Sequence, residues 1–257
     1  MIEIDHLTKI YKLNKKQQKE MKTKDTIKKA VDDVSLSINQ GEIFGLLGTN
    51  GAGKTTTLRC LATLLKPTQG NITVDGLDVV KDSEAVRRKI SFLTNDIKMD
   101  PQFSPNYLFY FFGRLHGMEA ADIESRKKEL FEHFGISAFK DKKVEELSTG
   151  MKQKVSIAVS LVHDPEIVIF DEPTNGLDIV TARAVVDYLK KLKDEGKTVI
   201  VSTHVMSEAQ KLCDRIAIII DGRLVALGTL DELEAQTNTT DLEDAFFEYY
   251  KIHGKEA

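Results

Sequence analysis

The chain has 257 residues but only two cysteines, Cys60 and Cys213. They are far apart, lack metal-ligand spacing and have no companion histidine motif. Neither a disulfide framework nor a structural zinc site is expected, and the pair reads as reduced cytosolic thiols. Long hydrophobic runs are missing as well. The longest, Ile216 to Ile220, is strand-sized, and no secretory signal precedes Met1-Ile2-Glu3-Ile4. Any membrane role therefore needs a partner that spans. There is no excess of positive charge: Lys+Arg number 36 against 40 Asp+Glu, a net charge of -4. No global attraction to nucleic acid is expected from that balance. Internal repeats and low-complexity tracts are also lacking.

What is present is a globular profile, 41% hydrophobic and 30% charged. The length suffices for one large α/β domain or two small ones. Charge is uneven, however. Lys12 to Lys29 is lysine-rich, with Lys15, Lys16, Lys19, Lys22, Lys24 and Lys28 between. Such a run serves either as a solvated surface segment or as a contact for anionic lipid headgroups.

Periodicity gives an order of elements. Ile2-Glu3-Ile4 and Leu7 to Tyr11 alternate like an edge strand, and Val34 to Ile38 alternates again. Glu42 to Leu47 is apolar enough for a strand buried on both faces. A helix is expected through Leu58 to Leu65, stopped by Lys66-Pro67, then a short strand, Ile72 to Val74, closed by an Asp75-Gly76 turn. From Asp96 to about Lys154 the texture changes. Phe103, Tyr107, Phe109, Tyr110, Phe111 and Phe112 cluster, and charged helical periods follow from Ala121 to Phe134. This reads as an inserted helical subdomain, with most of the aromatics forming its core. Alternation then resumes with a strand Ile167 to Phe170, a helix Thr181 to Asp194, a strand Thr198 to Ser202, a helix Ser207 to Leu212 and the hairpin "RIAIIIDGRLVALG". The tail from Thr229 reads as a polar helix followed by a short helix near Leu242 to Tyr250. Alternating strands and helices imply an α/β fold with a mostly parallel sheet.

Four stretches carry chemistry. "GTNGAGKTT", Gly48-Thr49-Asn50-Gly51-Ala52-Gly53-Lys54-Thr55-Thr56, matches G-x-x-x-x-G-K-[ST] between an expected strand and helix. Its glycines let backbone amides wrap phosphate oxygens, Lys54 can reach β- and γ-phosphates, and Thr55 can offer a hydroxyl to magnesium. "IVIFDEP", Ile167 to Pro173, ends in two carboxylates, and an acid at the carboxyl end of a parallel strand faces the ligand crevice. Asp171 would hold magnesium, and Glu172 is placed to polarise an attacking water. "VSTH", Val201 to His204, puts His204 at another strand end, where it is either structural or in contact with a γ-phosphate or the water. "ELSTGMKQK" places Ser148 as a helix cap with Gly150 behind it and no acid in the first turn, the layout of a second anion site.

The order phosphate loop, "LSTGMKQK", "FDEP", "NGLD", "STH" resembles the nucleotide-binding subunit of an ABC transporter over nearly the whole chain. The stretch "LSTGMKQK…HDPEIVIFDEPTNGLD", together with a glutamine-poor loop written around "FLTND", is similar to ATPases of bacterial ABC-2 exporters, among them those of the sodium-extruding Nat systems. The resemblance implies an ABC cassette with a RecA-like core sheet, an N-terminal antiparallel β subdomain and an inserted helical subdomain. The implied division is 1–95 and 155–228 for β subdomain plus nucleotide-binding core, 96–154 for the helical part and 229–257 for a helical tail. It implies that Tyr11 stacks on adenine, that Leu147 to Met151 is the signature, that Asn175 to Asp178 is the D-loop and that His204 is the switch histidine. ATP and Mg2+ are the implied ligands; a membrane permease and a second ATPase copy are the implied partners, on the cytoplasmic face of the membrane. Two departures stand out. The signature usually reads Leu-Ser-Gly-Gly-Gln, against Leu147-Ser148-Thr149-Gly150-Met151 here, and Asn95 occupies the place of the Q-loop glutamine as a potential metal contact. The competing reading, a soluble ABC ATPase acting on ribosomes or DNA, lacks a second cassette and a long coiled-coil insertion. A small-molecule kinase would leave Leu147 to Met151 unexplained.

Overall fold

Among the described residues, strand and helix signals alternate into two sheets and the helices packed around them. The computed structural model describes residues 1–20, 23–94 and 99–254. In chain order the elements are β1 (Ile2–Lys12), α1 (Lys15–Glu20), β2 (Ile27–Ile38), β3 (Ile43–Leu47), α2 (Lys54–Leu61), β4 (Gln69–Val74), β5 (Leu77–Asp78), α3 (Ser83–Lys89) and β6 (Ile90–Leu93). Then come α4 (Pro105–Leu115), α5 (Ala120–Phe134), α6 (Thr149–Ser160), β7 (Ile167–Asp171), α7 (Ile179–Asp194), β8 (Thr198–Thr203) and α8 (Met206–Leu212). The hairpin β9 (Arg215–Ile220) and β10 (Arg223–Gly228) precedes α9 (Leu230–Thr237) and α10 (Leu242–His253).

The larger sheet has the order β10-β9-β3-β8-β7-β6, parallel except for β10. Its central strands are buried on both faces, as their unbroken apolar runs require. Ile167 and Ile169 of β7 and Ile200 of β8 join the core toward the smaller sheet, whereas Val168, Phe170, Val199 and Val201 join the core toward the helices. The period of two thus feeds two cores from one strand. The smaller sheet is antiparallel, with order β2-β1-β4-β5.

Several expectations shift. β1 is an inner strand, paired with β2 on one side and β4 on the other. Alternation reports one buried face, which an edge strand and an inner strand share. β2 begins at Ile27, earlier than its clean alternation. The helix after the phosphate loop ends at Leu61, before Lys66-Pro67. Thr63 turns left-handed (φ 63°), and the Leu64 N–H donates to Arg59 O at 2.9 Å while the Thr63 N–H donates to Cys60 O at 3.2 Å. This is a Schellman stop built on threonine, where sequence reading looks for glycine. The Asp75-Gly76 and Asp221-Gly222 turns have positive φ at both residues, the backbone that tight hairpins favour.

In the helical part, Ser104 caps α4 by accepting the Tyr107 N–H at 3.2 Å, with Pro105 in the first turn. Of the aromatic cluster only Phe109 is fully buried, edge-on to Phe131. Tyr110 and Phe112 pack partly, and Phe103, Tyr107 and Phe111 are exposed. The expectation that most of the cluster is core is therefore corrected: one face of α4 faces solvent. Helix α6 runs unbroken across position 154, and its Val155, Ile157 and Ala158 share one core with Phe131, Phe134, Val168 and Phe170. The lysine-rich stretch is a β1–β2 extension in which α1 buries no side chain. Lys22 and Asn95 lie outside the described residues. Both cysteines are free, and burial pushes Cys60 up to about 11 and Cys213 up to about 12, so their thiols stay protonated and unreactive.

The His116 and His163 rings stack at 3.9 Å where α4 meets the core. Burial, aided by His116, pushes His163 down to about 4. The unfolded chain then binds a proton from about pH 6.5 downward that the folded chain refuses until about 4, so stability falls as pH drops through that window. Replacing His163→Gln is expected to shrink the stability lost between pH 7 and 4.5, measured by chemical denaturation, by about 2 kcal/mol.

Candidate active site

The phosphate loop spans the end of β3 to the start of α2. Its shape depends on glycine at two points. A Cβ on Gly48 would lie 2.3 Å from Ile219 O, and one on Gly53 (φ 111°) would lie 2.4 Å from Ala30 O. The neighbouring strands thus press directly against the loop backbone. Gly53 also stands at the cap position of α2, which has no side-chain cap and no acid in its first turn. Free amides and the positive helix end face the same cleft.

That cleft encloses about 310 Å³ and is walled by Tyr11, Lys28, Asn50 to Thr56, Glu172 and Asn175. Lys54 is buried, and its Nζ donates to Gly48 O at 2.8 Å and Thr49 O at 3.2 Å. Burial holds its pKa below the ordinary lysine value, with Glu172 and Asp171 opposing that shift. The ammonium is therefore held by carbonyls that a phosphate can replace.

Asp171 closes β7. Its Oδ1 accepts the Thr55 hydroxyl at 3.1 Å and also the Ser202 hydroxyl. Glu172 follows in a left-handed backbone (φ 57°), rare for a residue with a side chain. That turn is fixed by its own N–H, which donates to Ser202 O at 3.0 Å and Ser202 Oγ at 3.2 Å. The Glu172 carboxylate lies 3.7 Å from Lys54 Nζ on one side and 2.7 Å from His204 Nδ1 on the other. The His204 contact is close without hydrogen-bond alignment. Ser202 was missed by sequence reading; its only signal was the pair of polar residues, Ser202 and Thr203, between apolar Val201 and His204.

Tyr11 stands on β1 directly opposite Lys28 of β2, so both side chains share one face beside the phosphate loop. Lys28 too was missed, because it reads as one lysine among many.

Ser148 and Gly150 do not wall this cleft. Ser148 is exposed and caps α6 by accepting the Met151 N–H at 3.3 Å. A Cβ on Gly150 would come 3.3 Å from Asp178 Oδ2. Asp178 in turn caps α7, accepting the Val180 and Thr181 N–H groups, both at 3.0 Å. Gly150 and Asp178 are therefore neighbours, and neither walls the cleft around the phosphate loop, whereas Asn175 does. Asn95, the remaining expected contact, lies outside the described residues.

A phosphate-wrapping loop at a parallel strand end, with a lysine and two carboxylates converging on it, defines a P-loop nucleoside-triphosphate hydrolase. The comparisons narrow the class. A family model described as ABC transporter matches residues 31–175. The "ABC transporter ATP-binding protein NatA" of Bacillus subtilis (strain 168) is 42% identical over 87% of this chain and 91% of its own length. The "Daunorubicin resistance ATP-binding protein DrrA3" of Streptomyces coeruleorubidus is 41% identical over 82% of this chain and 66% of its own. A solved dimeric structure of the ATP-binding cassette MJ0796, in a post-hydrolysis state bound to ADP and Pi, superposes with a TM-score of 0.77. It is 29% identical and covers 90% of this chain and 99% of that one. The chain belongs to the ABC transporter family. It is an ATP-binding, ATP-hydrolysing subunit similar to those of ABC-2 exporters. Among the described residues, no helix is long and apolar enough to cross a membrane.

Proposed function

We propose that Glu172 is the general base of ATP hydrolysis in a cassette that works as a pair of copies and drives a separate membrane permease. The observation that carries this reading is the placement of the Glu172 carboxylate between Lys54 and His204 at the mouth of the phosphate loop. Tyr11 stacks on the adenine, and Gly48 to Thr56 wrap the phosphates. Lys54 stabilises charge on the β- and γ-phosphates, while Glu172 takes a proton from the attacking water and His204 orients the γ-phosphate end. Thr55 and Asp171 are hard oxygen donors 3.1 Å apart, a pairing that suits magnesium, which keeps water and phosphate for its remaining positions. When bound, magnesium would neutralise phosphate charge. Release of phosphate with no acceptor present tests the water reaction directly; transfer that requires a small-molecule acceptor would contradict it.

Ser148 and Gly150 complete the site on the partner copy, since they do not reach their own loop. The cassette is one ABC domain with a β subdomain and nucleotide core, a helical insertion and a C-terminal helical tail. It sits on the cytoplasmic face of the membrane. An apolar groove of about 480 Å³, with Leu64, Phe92, Phe103, Phe111 and Phe112 among its walls, is the seat of a permease helix. The cargo follows the permease: the Nat resemblance favours sodium ion, the daunorubicin-resistance relative favours a drug, and a peptide or lipid-like compound is the remaining alternative. The double replacement Phe103→Ala and Phe111→Ala is expected to leave ATP hydrolysis within about twofold, because both rings are exposed. Sodium uptake by inverted vesicles carrying the assembled transporter should fall severalfold. Loss of folding instead would return these rings to the core.

A further inference from the structure

Glu208 lies in the first turn of α8, outside every motif described above. Its carboxylate is divided between the loop after β7 and the end of β8. Oε1 accepts the hydroxyl of Thr174, and Oε2 accepts the hydroxyl of Thr203 at 3.0 Å. Thr174 stands in the loop after Glu172, whose turn is closed by the Asn175 N–H donating to Glu172 O at 3.2 Å. Thr203 is buried and immediately precedes His204. Its hydroxyl oxygen also accepts the Val205 N–H at 3.0 Å, so one hydroxyl clamps the backbone on both sides of His204.

A hydroxyl has one proton to give and lone pairs to offer. An ionised carboxylate only accepts, so the Thr203 hydroxyl donates its hydrogen bond to Glu208 and keeps a lone pair aimed at the Val205 N–H. The other Glu208 oxygen accepts from Thr174 in the same way. One side chain therefore fixes the Glu172 loop and the His204 turn relative to each other. We propose that Glu208 is a positioning residue for ATP hydrolysis, a bridge that keeps Glu172 and His204 in register across the strand ends. This rests on the reading of Glu172 and His204 as the reacting pair. The simpler role, an acid favouring the start of α8, would affect stability and leave turnover per folded molecule unchanged.

The test compares Glu208→Ala, Glu208→Gln, Thr174→Val and the Ala/Val double variant in the full chain, with Glu172→Gln alongside. Thermal midpoint, ATP Kd, KM and kcat are measured for each. Glu208→Ala is expected to lower kcat about tenfold with ATP Kd within about twofold, the pattern of a lost transition-state alignment. Glu208→Gln should recover kcat to within about threefold, because its amide oxygen and nitrogen can still meet both hydroxyls. Thr174→Val should lower kcat about threefold, and the double variant should be no slower than Glu208→Ala, as members of one bridge couple. A folded Glu208→Ala with wild-type kcat, a loss confined to KM, or single losses that multiply would each overturn the proposal. If Glu208→Ala does not fold, wild-type kcat in Thr174→Val overturns it by itself. Wild-type turnover in Glu172→Gln would instead overturn the underlying site reading. An inactive Glu172→Gln beside fully active Glu208 and Thr174 variants overturns only the bridge.

Discussion

Glu172→Gln is expected to stop steady-state ATP turnover, by at least about a hundredfold, while ATP binding persists. The amide matches the carboxylate in shape, so the left-handed turn at Glu172 and its N–H contacts to Ser202 remain. What disappears is the ability to take a proton from water. The replacement also removes a negative charge lying 3.7 Å from Lys54 Nζ, close to where γ-phosphate oxygens must come. Bound ATP then loses an electrostatic opponent and hydrolysis loses its base, so the ATP-bound state accumulates. Phosphate release in a single turnover and equilibrium ATP binding separate the two effects. Wild-type turnover would move the base to another residue.

Ser148→Arg is expected to abolish hydrolysis, again by about a hundredfold or more, through a different route. Ser148 is exposed, so the larger side chain fits the monomer. The local cost is the lost cap on Met151 N–H, on the order of 1 kcal/mol. ATP affinity of the single chain should stay within about twofold, because the cleft around Gly48 to Thr56 contains neither Ser148 nor Gly150. The guanidinium stem instead occupies the place where the partner's γ-phosphate would meet the helix. If hydrolysis survives, α6 begins with a cap and nothing more.

The candidate site was largely legible in the sequence because its parts are local. A glycine-rich loop, a strand ending in Asp171-Glu172 and a strand ending in His204 each announce themselves within a few residues. Their convergence follows from adjacent parallel strands, β3 beside β8 and β8 beside β7. What escaped notice was held together by distant partners. Ser202 matters because β8 lies against β7, and Lys28 because the β1–β2 register sets it opposite Tyr11. Gly150 meets Asp178 only because the fold brings the start of α6 to the start of α7. In the fold, alternation could not tell an inner β1 from an edge strand, since one buried face gives the same pattern in both. The stop of α2 was hidden because Thr63 adopts a conformation usually left to glycine. The aromatic cluster was misjudged for a related reason: residues 107 to 112 cover every side of a helix, so only some can face the core.

The composite site is tested most directly by sedimentation of Glu172→Gln with ATP, alone and combined with Ser148→Arg. The single variant is expected to run as an ATP-dependent dimer. The double variant should bind ATP with similar affinity and run as a monomer. A double variant that still dimerises with ATP would contradict a site shared between two copies.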